Sequence, residues 1–167
     1  MGYWGYFVVG RDRRPLAGLE ALSGAGDGMT LRTSAPGGWQ VWEFPGSGDV
    51  GSMNDLARET GAPALFGYVM NSDCVVVEAA APRGGAWTTC LARAATAGYL
   101  GADREGLTLE DYFLEPRDAA ERAVGWAAEA GHTADADALV EVLTADPDPV
   151  AENLFFRLLD RLGVVPE

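Results

Sequence analysis

Residues Gly46-Ser47-Gly48-Asp49-Val50-Gly51 fit the Gly-x-Gly-x-x-Gly spacing of a pyrophosphate-binding turn, and an acid, Asp73, lies 22 residues past Gly51. In a dinucleotide fold those glycines let the pyrophosphate approach the backbone at a helix N-terminus. Three features oppose that chemistry here. Asp49 places negative charge inside the loop. The helix expected next is only about nine residues long, short for such a unit. The strand after it turns straight back through Asn71-Ser72-Asp73 instead of entering a crossover. With 22 glycines in the chain, the spacing arises easily by chance, and a flexible connection is the favoured reading. Gly24-Ala25-Gly26-Asp27-Gly28 reads as a helix stop and turn. A Walker loop is excluded, because the chain has no lysine.

Nucleophilic catalysis would need His132, the only histidine, brought to Cys74 or Cys90 by the fold. Both cysteines fall in expected strands, where cysteine behaves as a small buried hydrophobe. His132 follows Gly131 at an expected helix end, where a cation suits the dipole. A histidine-based metal site is excluded by the single histidine. Asp135, Asp137, Asp146 and Asp148 do not fit the spacing of a calcium loop and read as caps or first-turn acids. Glu43, Asp73 and Glu78 lie on or beside strands, where burial could raise a carboxyl pKa for acid–base work, but no spacing selects a pair. No cofactor and no metal are expected.

The charge pattern is more informative. All 12 basic residues are arginine, and the net charge is −13. Residues 1–100 carry seven Arg against nine acids, and residues 101–167 carry five Arg against sixteen. The acidic C-terminal part would repel phosphate backbones, which excludes general nucleic-acid binding. It would attract and steer a basic protein partner. The absence of lysine and isoleucine, beside 27 Ala and 22 Gly, marks a GC-rich coding bias, so each arginine says less than usual about bidentate recognition. No apolar run approaches the roughly 18 residues of a membrane helix. Arg11, Arg13 and Arg14 follow the apolar start instead of preceding it, unlike an export signal. A cytoplasmic chain with two reduced cysteines is the expectation.

The elements that must position these groups follow from periodicity. Tyr3–Val9, Met29–Thr33, Trp39–Phe44, Pro63–Met70, Cys74–Glu78 and Ala86–Leu91 read as strands. Pro15–Leu22 and Ser52–Thr60 read as helices, the second closed by Gly61. The first four strands and two helices follow the order of the ferredoxin-like split βαβ pattern (βαββαβ), extended by a meander. Helices are expected over Leu107–Phe113, from Pro116 through Arg117–Ala130, over Ala136–Leu143, and from Asp148-Pro149 to Leu162. The fold class is therefore α+β. An antiparallel sheet region spans residues 1–101, and an acidic helical region, 102–167, packs on it in one cooperative domain. At roughly 60 residues that helical part would be marginal alone.

Gly2-Tyr3-Trp4-Gly5-Tyr6-Phe7-Val8-Val9, Gly61–Glu78 and Val124–Gly131 together resemble stretches of small acidic proteins of high-GC bacteria. In size and charge the chain is similar to immunity proteins of bacterial toxin systems. The resemblance implies a non-enzymatic inhibitor of a basic toxin or effector and brings no catalytic motif or site residue with it. The favoured function is a protein-binding module without membrane or nucleic-acid contacts. Glu110, Asp111, Asp118, Glu121, Glu129 and Glu141, on exposed helix faces, are the expected recognition surface. Trp39 and Trp42, on opposite faces of one strand, are the competing aromatic anchors. The alternatives are a small-molecule-binding domain or carboxylate hydrolase with a pocket between sheet and helices, and an adapter without charge selectivity.

Overall fold

Ser52 opens the first helix and Gly61 closes it. The Ser52 hydroxyl accepts the Asp55 N–H, Gly61 adopts the left-handed conformation at φ 71°, and α1 spans Met53–Thr60 between them. In the computed structural model, residues 2–46, 48–100, 109–147 and 149–166 are described, with the backbone only of Leu100 and Asp111. Ser47 of the glycine-rich motif, residues 107 and 108 of one expected helix, and Asp148 lie outside the described residues.

Six antiparallel strands form one sheet: β1 Gly5–Arg11, β2 Thr30–Ala35, β3 Trp39–Pro45, β4 Ala64–Met70, β5 Cys74–Ala81 and β6 Gly85–Leu91. Their order across the sheet is β2-β3-β1-β4-β5-β6. The central strand β1 sets Val9 opposite Val41 on one side and Leu65 on the other. Both faces of β1 are apolar because both are covered.

One face carries the C-terminal helices α3 Pro116–Glu129, α4 Ala136–Thr144 and α5 Ala151–Leu162. Phe7, Val9, Trp39, Val41, Leu65, Val75 and Val77 of the sheet meet Trp126, Leu139, Leu154 and Phe155 there in a single core. The helices α3, α4 and α5 therefore pack on the sheet. Gly67 permits a close approach to α5, since a Cβ at that position would lie 2.5 Å from the Phe155 ring. The other face is covered by α1 and by the segment joining β1 to β2, through Val8, Leu16, Leu22, Met53 and Leu56.

Three expectations are corrected. Pro15–Leu22 is not an α-helix. Leu16–Gly18, Glu20–Leu22 and Gly26–Gly28 are separate 3-10 turns. The leucines still reach the core, but repeated glycines favour short turns over a sustained helix. An additional helix, α2 Arg93–Leu100, follows β6 and packs on β5 and β6. Its entry has no Ser, Asp or Pro signal. The chain turns instead through Ala92 at φ 55°. The last helix starts at Ala151, with Val150 at the N-cap position, so Pro149 precedes it. Of the expected helix over Leu107–Phe113, the described part holds a 3-10 turn at Leu109–Asp111.

No helix among the described residues is long and apolar enough to cross a membrane.

Candidate functional site

Strand β6 is one edge of the sheet, and its outward polar groups need partners. The segment before α3 supplies them. The Leu114 N–H donates to the Thr88 carbonyl at 3.2 Å, and the Thr89 hydroxyl donates to the Leu114 carbonyl at 3.4 Å. Further along, Arg122 of α3 donates to the carbonyls of Gly84 and Ala86 at 3.1 and 3.2 Å. These contacts hold residues 109–118 beside the strand and leave a groove of about 520 Å³ between them.

Three carboxylates line that groove: Glu110, Glu115 and Asp118. Tyr112 lines it as well and is 42% exposed. Pro116 opens α3, so Glu115 takes its N-cap position and Asp118 its first turn, where negative charge is favoured by the helix dipole. Local helix physics thus explains why acids stand there, and their exposure leaves them available to a cation. Glu110 pairs with Arg93 at 3.1 Å. Glu121 lies three residues beyond Asp118 on the same side of α3, and both are exposed.

The expected acidic surface is therefore only partly assembled. Glu110 and Asp118 come together in the groove, with Glu121 next to it. Glu129 accepts the backbone N–H groups of Arg83 and Gly84 at 2.8 and 2.9 Å, so it fastens the β5–β6 turn to α3. Glu141 is exposed on α4 and does not line the groove. The Asp111 side chain lies outside the described residues. Trp39 is 2% exposed and packs 5.8 Å from the Trp126 ring, so it belongs to the core and not to a surface. Trp42 faces the other way, half-buried, and donates its indole N–H to Gln40 at 2.8 Å. Tyr112, Glu115 and Arg122 were not singled out by sequence reasoning. The Pro116 start signal beside two acids was the cue to Glu115, and nothing marked Arg122.

The catalytic alternatives find little geometry. Glu78 accepts the Met53 N–H at 3.0 Å and so caps α1. Glu43 lies on the opposite face of the sheet near Arg32, 3.7 Å away, and beside Tyr3. Burial, with the Glu43 carboxylate, pushes the Tyr3 hydroxyl to a higher pKa. Asp73 accepts the Tyr99 hydroxyl at 2.8 Å in a turn. The fold does not bring these three acids together. Among the described residues, no three His, Cys, Asp or Glu side chains are placed to hold a metal ion.

In the glycine-rich segment, Asp49 accepts the Gly51 N–H at 2.8 Å, and Glu78 takes the first N–H of α1. The chain's own carboxylates thus fill the seat a pyrophosphate would need. His132 sits past the end of α3, donating its backbone N–H to the Ala127 carbonyl at 2.9 Å, with its ring against Gly163.

Cys74 and Cys90 are buried and unpaired, beside the Thr96 hydroxyl. Burial is the main cause that raises both thiol pKa values. Both thiols should react slowly with an aromatic disulfide reagent in native protein and give a count of two after unfolding. Because the folded thiols resist ionising, the unfolded state loses protons first as pH rises through the ordinary thiol value of 9.0. Stability should therefore be intact below that pH and fall above it. Replacing both cysteines by alanine should flatten that alkaline slope in denaturant melts.

Comparison with protein-family models, with curated proteins and with solved structures finds no match.

Proposed function

We propose that this chain is a non-enzymatic protein-binding module that captures a basic partner through the acidic groove along β6, most concretely as an immunity-type inhibitor of a basic toxin or effector. The observation that carries this reading is the convergence of Glu115 and Asp118 with the exposed Tyr112 ring in one groove, beside the Glu110 carboxylate that Arg93 already pairs. An arginine or lysine side chain entering there meets carboxylates for its charge and an aromatic face for its desolvated flank. The net charge of −13 adds long-range attraction for a cationic surface. A cytoplasmic setting, with both thiols reduced, belongs to the same proposal.

We propose as well that the first four strands form a ferredoxin-like unit. Its support is the neighbour order β2-β3-β1-β4, together with the placement of α1 and the β1–β2 connection on one face. The hairpin partners β5 and β6 then extend that unit and carry the binding edge.

Association with an arginine- and lysine-rich peptide tests the reading. The association rate should fall steeply as salt shortens the Debye length from ~10 Å at 0.1 M to ~3 Å at 1 M. A rate indifferent to salt would remove the electrostatic basis of the proposal.

A further inference from the structure

Where the central strand β1 ends, the charge reverses. Arg11 ends β1, and Arg13 and Arg14 stand in the loop that follows. Gln40 of β3 rivets that loop in place. Its side-chain amide donates to the carbonyls of Asp12 and Arg14, both at 2.9 Å, and its oxygen accepts the Leu16 N–H at 3.0 Å. Asp12 takes Arg14 in a two-point pair at 2.9 and 3.1 Å, and that pairing holds the Asp12 carboxyl below its ordinary pKa. Arg11 and Arg13 enter no ion pair among the described residues. Gln40 thus fixes the loop, and among the described residues neither Arg11 nor Arg13 is paired with an acid.

Two hollows meet at this loop, sharing Asp12, Arg13 and Gly38. The first, about 570 Å³, lies between the arginines, the Gly37-Gly38 turn and Gly61-Ala62. Gly37 and Gly38 have φ of 85° and 88°, a conformation that only glycine adopts readily, so the turn presents bare backbone to the hollow. The second, about 300 Å³, has carbon-rich walls from Pro15, Leu31 and Trp42. Leu31 is 46% exposed on the edge strand β2.

We propose that this double hollow binds a small organic anion with a flat apolar body, its carboxylate or phosphate head on Arg11 and Arg13 and its body against Trp42 and Leu31. A guanidinium fork matches either oxyanion, and the few polar groups of a mostly apolar cleft set the orientation of what it holds. Anions are repelled by most of this molecule, so a local cationic cleft with a defined apolar wall is selective for a ligand that uses both parts.

Calorimetry and the NMR signal of the Trp42 indole N–H, read with four probes, test this. 2-Naphthoate and 1-naphthyl phosphate carry head and body, 2-naphthol carries the body alone, and inorganic phosphate the head alone. At least one naphthyl anion should bind saturably, one per chain, and move the Trp42 signal. The tighter of the two assigns the head group. Naphthol and phosphate should each bind at least about tenfold more weakly. Arg13→Gln should weaken the anion about tenfold or more, and Arg11→Gln combined with it should abolish saturation. Both side chains are exposed, so unchanged melting will show that these variants fold. Asp118→Arg, at the other edge, should leave the affinity unaltered, which separates this site from the acidic groove. The proposal is overturned if neither anion saturates, if naphthol binds as tightly as the anions, or if the double arginine variant binds like the parent.

Discussion

Trp126→Ala should lower the free energy of unfolding by about 3–5 kcal/mol, the cost of emptying a large aromatic site in a core. Trp126 is 1% exposed and lies against Trp39. Its indole N–H is shared between the carbonyls of Ala64 and Ala80, each at 3.1 Å. Those two residues are partners in the β4–β5 ladder, so one side chain ties α3 to two strands at once. Trp126→Phe keeps most of the ring but deprives both carbonyls of that donor, and a smaller loss of about 1–3 kcal/mol is expected. Urea unfolding measures both, with the slope against denaturant unchanged if the native fold persists. A loss below about 1 kcal/mol for the alanine variant would mean that α3 does not depend on this clamp for its seat on the sheet.

The second large effect is on binding. Reversing Asp118 and Glu121 to Arg together should slow association with a basic partner about tenfold or more at low salt, with a much smaller change in dissociation. Stability should change little, because both side chains are exposed. The cost is concentrated at Asp118, where a cation opposes the first-turn dipole of α3 by about 0.3–1 kcal/mol. Glu121→Arg alone avoids that cost and should retain a clear part of the kinetic effect. Trp42→Ala, at the other edge, should leave association with the basic partner unchanged. Stopped-flow kinetics at two salt concentrations separates these outcomes. If the reversals leave association unchanged and Trp42→Ala abolishes it, the −13 charge is a solubility feature and the β2 edge is the working surface.

Local signals made much of the fold legible. Ser52 and Gly61 bracket α1, Pro116 marks the first turn of α3, and alternation in Tyr3–Val9 with turn residues between the later apolar runs marked the six strands, because each of these depends on residues within one turn or one strand. The α2 helix was illegible because tertiary contacts anchor it. Thr96 of α2 is fully buried beside Cys74 of β5 and Cys90 of β6. The β1–β2 connection misled for a related reason. The leucine spacing is the same for a helix and for turns that place Leu16 and Leu22 in one core, and Gly18 between them, with Gly24, Gly26 and Gly28 beyond, tips the segment toward turns.

The site was legible as charge but not as geometry. Glu129 and Asp118 look alike in sequence, yet the first is spent on backbone N–H groups 46 and 45 residues away. Trp39 and Trp42 were correctly set on opposite faces, but which of them α3 would cover depends on a helix some 80 residues later in the chain. The arginine loop reads only as a poor export signal until Gln40 is seen beneath it.

The groove along β6 receives cationic side chains. An NMR titration of the uniformly labelled chain with an arginine- and lysine-rich peptide at low salt tests this. Saturable shifts should concentrate at Thr88, Tyr112, Asp118 and Glu121, be reversed by added salt and be lost in the Asp118→Arg and Glu121→Arg double variant. Shifts centred instead on Trp42 and the Arg11–Arg14 loop, or no saturable shift at any groove residue, would contradict it.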